Sequence, residues 1–199
     1  HISLKSTSDT EILFYLLIEK GIDTLNELNG FFAFSFYNKN TDTLILARDR
    51  YGIKPLVFYN DKEQFIFASE VKAILKFGVK KEINNSALFH YFQFNFIPEP
   101  QSILKGFNKL PAGSYLEIKH DKFEIKKWYS FELPNIYEPL NYEKAKNIFI
   151  SKIEKSVERR MVSDVPLGTF LSGGTDSSVI SYSAKKLNPN LKTFSIGFK

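Results

Sequence analysis

The sequence predicts an α+β unit built on antiparallel sheet over residues 1–135, followed by an α/β unit with parallel strands over residues 136–199. Three observations carry this. Short alternating or aromatic-rich runs come in pairs joined by Asn/Asp turns, as antiparallel hairpins do. The stretch Leu133-Pro134-Asn135 to Glu138-Pro139 is rich in turn-formers and reads as a linker. After it, an apolar run, a Gly-Ser turn, a helical pattern and a second apolar run make a strand–helix–strand unit of parallel sheet.

The elements follow in order. Ile2-Ser3-Leu4 reads as the end of a strand. Ser8 and Glu11 have the Ser-x-x-Glu spacing of a capping box, and the helix they open carries Ile12, Leu13, Leu16 and Leu17 on one face and stops at Gly21. Phe32–Tyr37 and Thr43–Ala47 are strands around the turn Asn38-Lys39-Asn40-Thr41. Leu56–Tyr59 and Gln64–Ala68 form a second pair around Asn60-Asp61. Glu70–Lys76 and Ser86–Phe94 are helical, and Ser114–Ile118 with Phe123–Trp128 is a hairpin around His120-Asp121. Beyond the linker, Asn141 caps a helix whose Ala145, Ile148, Phe149, Ile153 and Val157 recur at helical spacing to about Met161. A strand over Leu167–Leu171, a helix to about Leu187 and a strand over Thr193–Phe198 complete the pattern.

Composition narrows the class. The 199 residues are 43% hydrophobic and 25% charged, a globular balance, with 20 Phe and 10 Tyr pointing to a Phe-rich core. The net charge is +5, but the lysines are scattered and not striped, so a nucleic-acid partner is not indicated. No apolar run has the length of a membrane-spanning helix. Cysteine is absent, which excludes disulfides and thiolate metal sites within these residues. His1, His90 and His120 have no ligand spacing and are assigned no role.

The stretch with the most chemistry is Ser172-Gly173-Gly174-Thr175-Asp176-Ser177-Ser178. Glycines let backbone N–H groups approach a phosphate, and a helix N-terminus favours negative charge. The serines add hydroxyl donors. No Lys follows the second Gly, so this is not the Walker A pattern. Asp176 would repel a phosphate directly but suits one neutralised by Mg²⁺, so the loop reads as a site for ATP with its metal.

These residues resemble the pyrophosphate-binding loop of the ATP pyrophosphatases. With Ser163-Asp164-Val165-Pro166-Leu167-Gly168 in front of it, the loop is similar to that of the glutamine-hydrolysing asparagine synthetases and their amidotransferase relatives. Five further stretches resemble that family in the same order: Ser8–Glu11, Leu28–Phe34, Ala47–Leu56, Phe67–Ile74 and Lys109–Gly113. The resemblance implies an N-terminal-nucleophile glutaminase domain, an αββα sandwich, over residues 1–135. It implies that a Rossmann-like ATP-pyrophosphatase synthetase domain begins at residue 136.

The resemblance also implies the roles of individual residues. Asp9 would bind the α-amino group of glutamine, in addition to favouring the helix dipole from the first turn. Ser172, Gly173, Gly174 and Ser177 would hold the phosphates, with Asp176 linked to Mg²⁺ through pyrophosphate. Phe170 and Ile196 would contact adenine by their backbone, their side chains reading as core packing. Thr175 stands where the family usually has Leu. The family's nucleophile is an N-terminal Cys, for which this chain has no counterpart. The sequence is therefore read as part of a longer protein, incomplete at both ends, and these 199 residues alone are expected to hydrolyse no glutamine. Arg48, Asp49 and Arg50 read as a structural, salt-bridged turn, with lining the path between two active sites as the alternative; Glu70, Lys72 and the run from Glu154 to Arg160 read as solvated helix faces or interface groups.

The activity implied is ATP-dependent conversion of aspartate to asparagine through an acyl-adenylate, with AMP and pyrophosphate released and glutamine as nitrogen donor. The cofactors are then ATP and Mg, and the partners glutamine and aspartate. The setting is cytoplasmic, and a homodimer is allowed. Two alternatives stand beside it: an amidotransferase acting on another acceptor, such as a sugar in surface polysaccharide synthesis, and a non-catalytic binding module that keeps the glutaminase fold.

Overall fold

The computed structural model describes residues 4–61, 63–120, 122–133 and 139–197. The chain divides into two compact units, His1–Glu132 and Leu133–Lys199.

In the first unit, helix α1 (Asp9–Lys20) runs into a 3₁₀ turn and a short helix α2 (Thr24–Glu27). Strands β1 (Ala33–Asn38) and β2 (Thr43–Arg48) follow, then β3 (Val57–Asn60) and β4 (Phe65–Ala68). Helix α3 (Val71–Ile74), which continues as a 3₁₀ turn, and helix α4 (Asn85–Phe94) lead to β5 (Phe107–Lys109), β6 (Ser114–Lys119) and β7 (Lys122–Lys127). The strands form two antiparallel sheets, in the orders β1-β2-β6-β7 and β4-β3-β5.

Strand alternation assigns the faces. Leu46 and Leu116 are register partners on β2 and β6, and they pack with Leu56, Phe58 and Leu110 into a core between the sheets. On the other face of the smaller sheet, Val57 and Phe107 pack against Ile74 of α3 and against Val79. On the other face of the larger sheet, the Phe36 ring of β1 lies 6.2 Å from Phe14 of α1. Helix, sheet, sheet, helix is the layering that the sequence leads one to expect.

The second unit comprises α5 (Tyr142–Arg160), β8 (Gly168–Phe170), α6 (Thr175–Leu187) and β9 (Lys192–Phe194). β8 and β9 are parallel, with Thr169 opposite Thr193. Gly168 sits close against its partner strand: a Cβ there would lie 3.0 Å from Lys192 O and would displace the Phe194 ring. Val157 of α5, Ala184 of α6 and Leu191 form the core of this unit.

Several expectations change in detail. Ser8 caps α1, but its hydroxyl accepts from Thr10 N, not from the amide of Glu11. Glu11 does not return to Ser8. Its carboxylate accepts from Lys5 N, Ser6 N and Ser6 Oγ at 2.9, 2.7 and 2.5 Å. The loop before the helix thus competes successfully for the carboxylate that the motif assigns to the cap. β5 was not anticipated. Helix α6 starts at Thr175, and the sequence pattern places its start near Ser177, two residues later. Of the expected initial strand, Ile2 and Ser3 lie outside the described residues, as do most of the linker (134–138) and Phe198 of the last strand. Asn141 caps α5 as expected, accepting from Lys144 N at 2.8 Å.

Candidate functional sites

The first site is a cavity of about 460 Å³ in the first unit. Its walls come from distant parts of the chain: Asp9, Thr10 and Leu13 from α1, residues 28–34 leading into β1, Lys54 and Pro55 from the turn after β2, and Ser69 after β4. Asp9 is the first residue of α1, exposed, with its carboxylate accepting from Thr10 Oγ1 at 3.4 Å. A carboxylate lining the cavity and bonded, among the described residues, to one weak neutral donor is suited to take an ammonium group. Next to it, Glu11 has its pKa lowered, first by the Ser6 hydroxyl and then by the Lys5 amide, so the start of α1 is held by an ionised group.

The turn beside this cavity is built around two buried charges. Arg48, 7% exposed, donates through Nε to Lys54 O at 2.8 Å and through Nη2 to Gly52 O at 2.6 Å. Its Nη1 donates to Leu110 O at 2.5 Å and pairs with Glu99 at 2.6 Å. The ion pair of the expected salt-bridged turn therefore reaches a carboxylate 51 residues away. Glu99 in turn accepts from Ala112 N at 3.1 Å. Gly52 has a positive φ of 64°, and a Cβ there would lie 2.9 Å from the Arg48 guanidinium. Arg50 donates to the carbonyls of Leu28 and Asn26, and its guanidinium lies 5.0 Å from the Trp128 ring centroid. Asp49 is 1% exposed and accepts backbone N–H groups on both oxygens. Sequence reasoning placed it only in a turn. An Asp two residues before a Tyr-Gly turn is an Asx-type signal that was open to reading.

The second site is the loop between β8 and α6. Gly173 has φ +85° and Gly174 is the N-cap of α6, with no side chain capping it. The helix N-terminus is therefore open to an external anion. Ser172 Oγ and Ser177 Oγ are 3.0 Å apart, while Ser177 and Ser178 both donate to Gly174 O, at 3.0 and 2.8 Å. The loop's entry is tied to the next strand: Leu171 N donates to Phe194 O at 2.8 Å, and Ser195 Oγ donates to Leu171 O at 2.6 Å. Ser172, Gly173, Gly174, Asp176 and Ser177 thus sit on one short loop at a helix start. Phe170 and Ile196 flank it, but their side chains are not core residues as expected; they are 77% and 79% exposed. The residues suit a magnesium-bound pyrophosphate: an open glycine cradle, hydroxyl donors and one exposed carboxylate, a hard oxygen ligand.

No helix among the described residues is long and apolar enough to cross a membrane. The carboxylate-edged cavity of the first unit and the open Gly-Ser loop of the second are the two candidate sites. Residues 1–129 match the glutamine amidotransferase domain family, and the chain belongs to it. Residues 149–199 match the asparagine synthase family. A Methanocaldococcus jannaschii protein, provisionally named asparagine synthetase [glutamine-hydrolyzing] 2, is 41% identical over the whole of this chain. Asparagine synthetase [glutamine-hydrolyzing] 1 of Bacillus subtilis is 38% identical over 99% of it, and asparagine synthetase B of Escherichia coli 30% identical over 96%. The chain spans 40%, 31% and 32% of the lengths of these three relatives.

Proposed function

We propose that the protein to which this chain belongs transfers nitrogen from glutamine to aspartate at the expense of ATP. In this reading the first unit frees ammonia from glutamine, with Asp9 holding the α-ammonium group in the cavity. The second unit binds ATP through Ser172, Gly173, Gly174 and Ser177, with backbone near Phe170 and Ile196 facing adenine. Asp176 would hold a magnesium ion through the pyrophosphate, and such an ion would supply charge neutralisation for the leaving group. A carboxylate is a poor electrophile, and adenylation supplies a leaving group. Ammonia then displaces AMP to give asparagine. The observation that carries the reading is the presence, on one chain, of a glutamine amidotransferase domain and an open SGGTDSS loop between parallel strands.

The test is pyrophosphate release by the protein from its complete gene, with MgATP and glutamine, with and without aspartate. Aspartate-dependent release with asparagine formed is the expected result. Nucleotide binding without aspartate dependence would move the reading to another acceptor, such as a sugar. Absence of both nucleotide binding and glutamate release would leave a non-catalytic module.

A further inference from the structure

Asp49 is a buried carboxylate to which the proposed reaction gives no part. Its two oxygens collect four backbone N–H groups. Oδ1 accepts from Tyr51 and Ile53 at 3.1 and 3.0 Å, and Oδ2 from Lys54 and Phe32 at 3.0 and 3.3 Å. Its own N–H donates to Phe32 O at 2.9 Å. Among the described residues no cation is bonded to it; the neighbouring guanidinium of Arg48 is spent on Glu99 and three carbonyls. The bonds the carboxylate accepts among these residues come from backbone dipoles, an arrangement that fixes geometry at the expense of desolvation.

What Asp49 joins gives it a use. Phe32 and Lys54 are 22 residues apart and both line the cavity that Asp9 edges. One carboxylate oxygen bonds the backbone of both. The Asp49 oxygen is thus the point at which the β1 entry and the post-β2 turn are held in register, and with them two walls of the cavity.

We propose that Asp49 is a positioning residue for the amino-acid cavity, setting the distance between its two walls and thereby its affinity for glutamine. The proposal rests on the reading of this cavity as the glutamine site. Asp49 touches no substrate; it acts through the backbone of Phe32 and Lys54. Replacing one oxygen by an amide puts an N–H₂ against N–H donors, so one wall moves while the chemistry elsewhere is untouched. Binding constellations must be held to within about 0.5 Å of the productive geometry, so a small shift of one wall weakens the site.

The experiment compares glutamate release, against glutamine concentration, for the protein from its complete gene and its Asp49→Asn, Asp49→Glu and Asp9→Asn variants, each checked for folding by thermal melting. Asp49→Asn is expected to raise the glutamine KM by about tenfold with kcat within about threefold. Asp49→Glu keeps the anion but displaces it by a methylene, and is expected to raise KM as well. Asp9→Asn is expected to raise KM independently. If Asp9→Asn raises KM while both folded Asp49 variants keep the parental value, or lose only kcat, the positioning role is overturned and the glutamine site stands. If no variant moves KM, the reading of the cavity itself falls. Failure of both Asp49 variants to fold would make Asp49 a scaffold residue only, and that also overturns the proposal.

Discussion

Two glycines stand side by side in the β8–α6 loop, and they are glycines for different reasons. Gly173 has φ +85°, yet nothing lies within 4 Å of where its Cβ would be. Its requirement is conformational, since a left-handed backbone costs an L-residue about 1–2 kcal/mol. Gly174 has an ordinary φ of −78°, and a Cβ there would meet only Ser172 Oγ, at 3.7 Å. Gly173→Ala is therefore expected to weaken ATP binding by about fivefold or more, and Gly174→Ala by less than about threefold, measured by titration calorimetry. Equal losses would show that the loop needs room for a phosphate more than it needs the turn. The same reasoning separates two ion pairs. Arg48 serves Glu99 and three carbonyls from a buried position, so Arg48→Ala strands several acceptors at once and is expected to destabilise by about 3 kcal/mol in denaturant unfolding. Lys72 pairs with Glu70 in solvent, and Lys72→Ala is expected to change stability by less than about 0.5 kcal/mol.

At the scale of an element, the start of α1 shows how a local motif is redirected by its loop. The sequence pattern identifies the helix, its cap Ser8 and its terminating Gly21, all of which are short-range features. It assigns Glu11 to the cap, whereas the carboxylate bonds Ser6 and Lys5, and Ser8 N donates instead to Ser6 Oγ at 3.2 Å. A consequence is a pH dependence of definite sign. Glu11 is lowered from its ordinary value of 4.5, chiefly by the Ser6 hydroxyl. A depressed carboxylate gives stability that is present above the unfolded pKa and is lost as pH falls through the folded one. The amides of Lys5 and Ser6 are therefore expected to remain protected at neutral pH and to lose protection only as pH falls below 4.5, read by hydrogen exchange. In Glu11→Gln the acid step should vanish. Strand β5 teaches the opposite lesson. Phe107-Asn108-Lys109 has no periodicity of its own and is a strand only because β3 offers an edge, with Phe107 opposite Tyr59, 48 residues earlier, and Lys109 opposite Val57, 52 residues earlier. The interval differs at each pair because antiparallel partners run in opposite senses, and no local window contains both.

On the scale of the whole molecule, the two candidate sites differ in how far the sequence could reveal them. The nucleotide-type loop is seven contiguous residues whose chemistry depends on a strand before and a helix after, both legible locally. The cavity is assembled from residues 9, 32 and 54 by tertiary packing; Asp9 carried a signal of its own, and Asp49 a local Asx-type signal, but Phe32, Lys54 and the bond that joins them through Asp49 acquire meaning from tertiary structure. The units also differ in what holds them. The first has two buried clusters, one between its sheets and one beneath α3. The second has a cluster of three buried side chains, Val157, Ala184 and Leu191, and an exposed Lys186–Glu154 pair worth little. Its two-stranded parallel sheet leaves Phe170 and Phe194 largely in solvent, whereas parallel strands are stable when both faces are covered and neighbours pair on either side. A peptide of residues 139–199 is therefore expected to show helical circular dichroism from α5 and α6 but a broad, non-cooperative thermal transition. A sharp melt would mean that the α5–α6 contact with the β8–β9 pair is a sufficient core, and that the loop's geometry is fixed by these residues alone. A broad one would mean that these residues do not by themselves hold the open helix start, so that anion binding by the loop should be weaker in the peptide than in the protein from its complete gene.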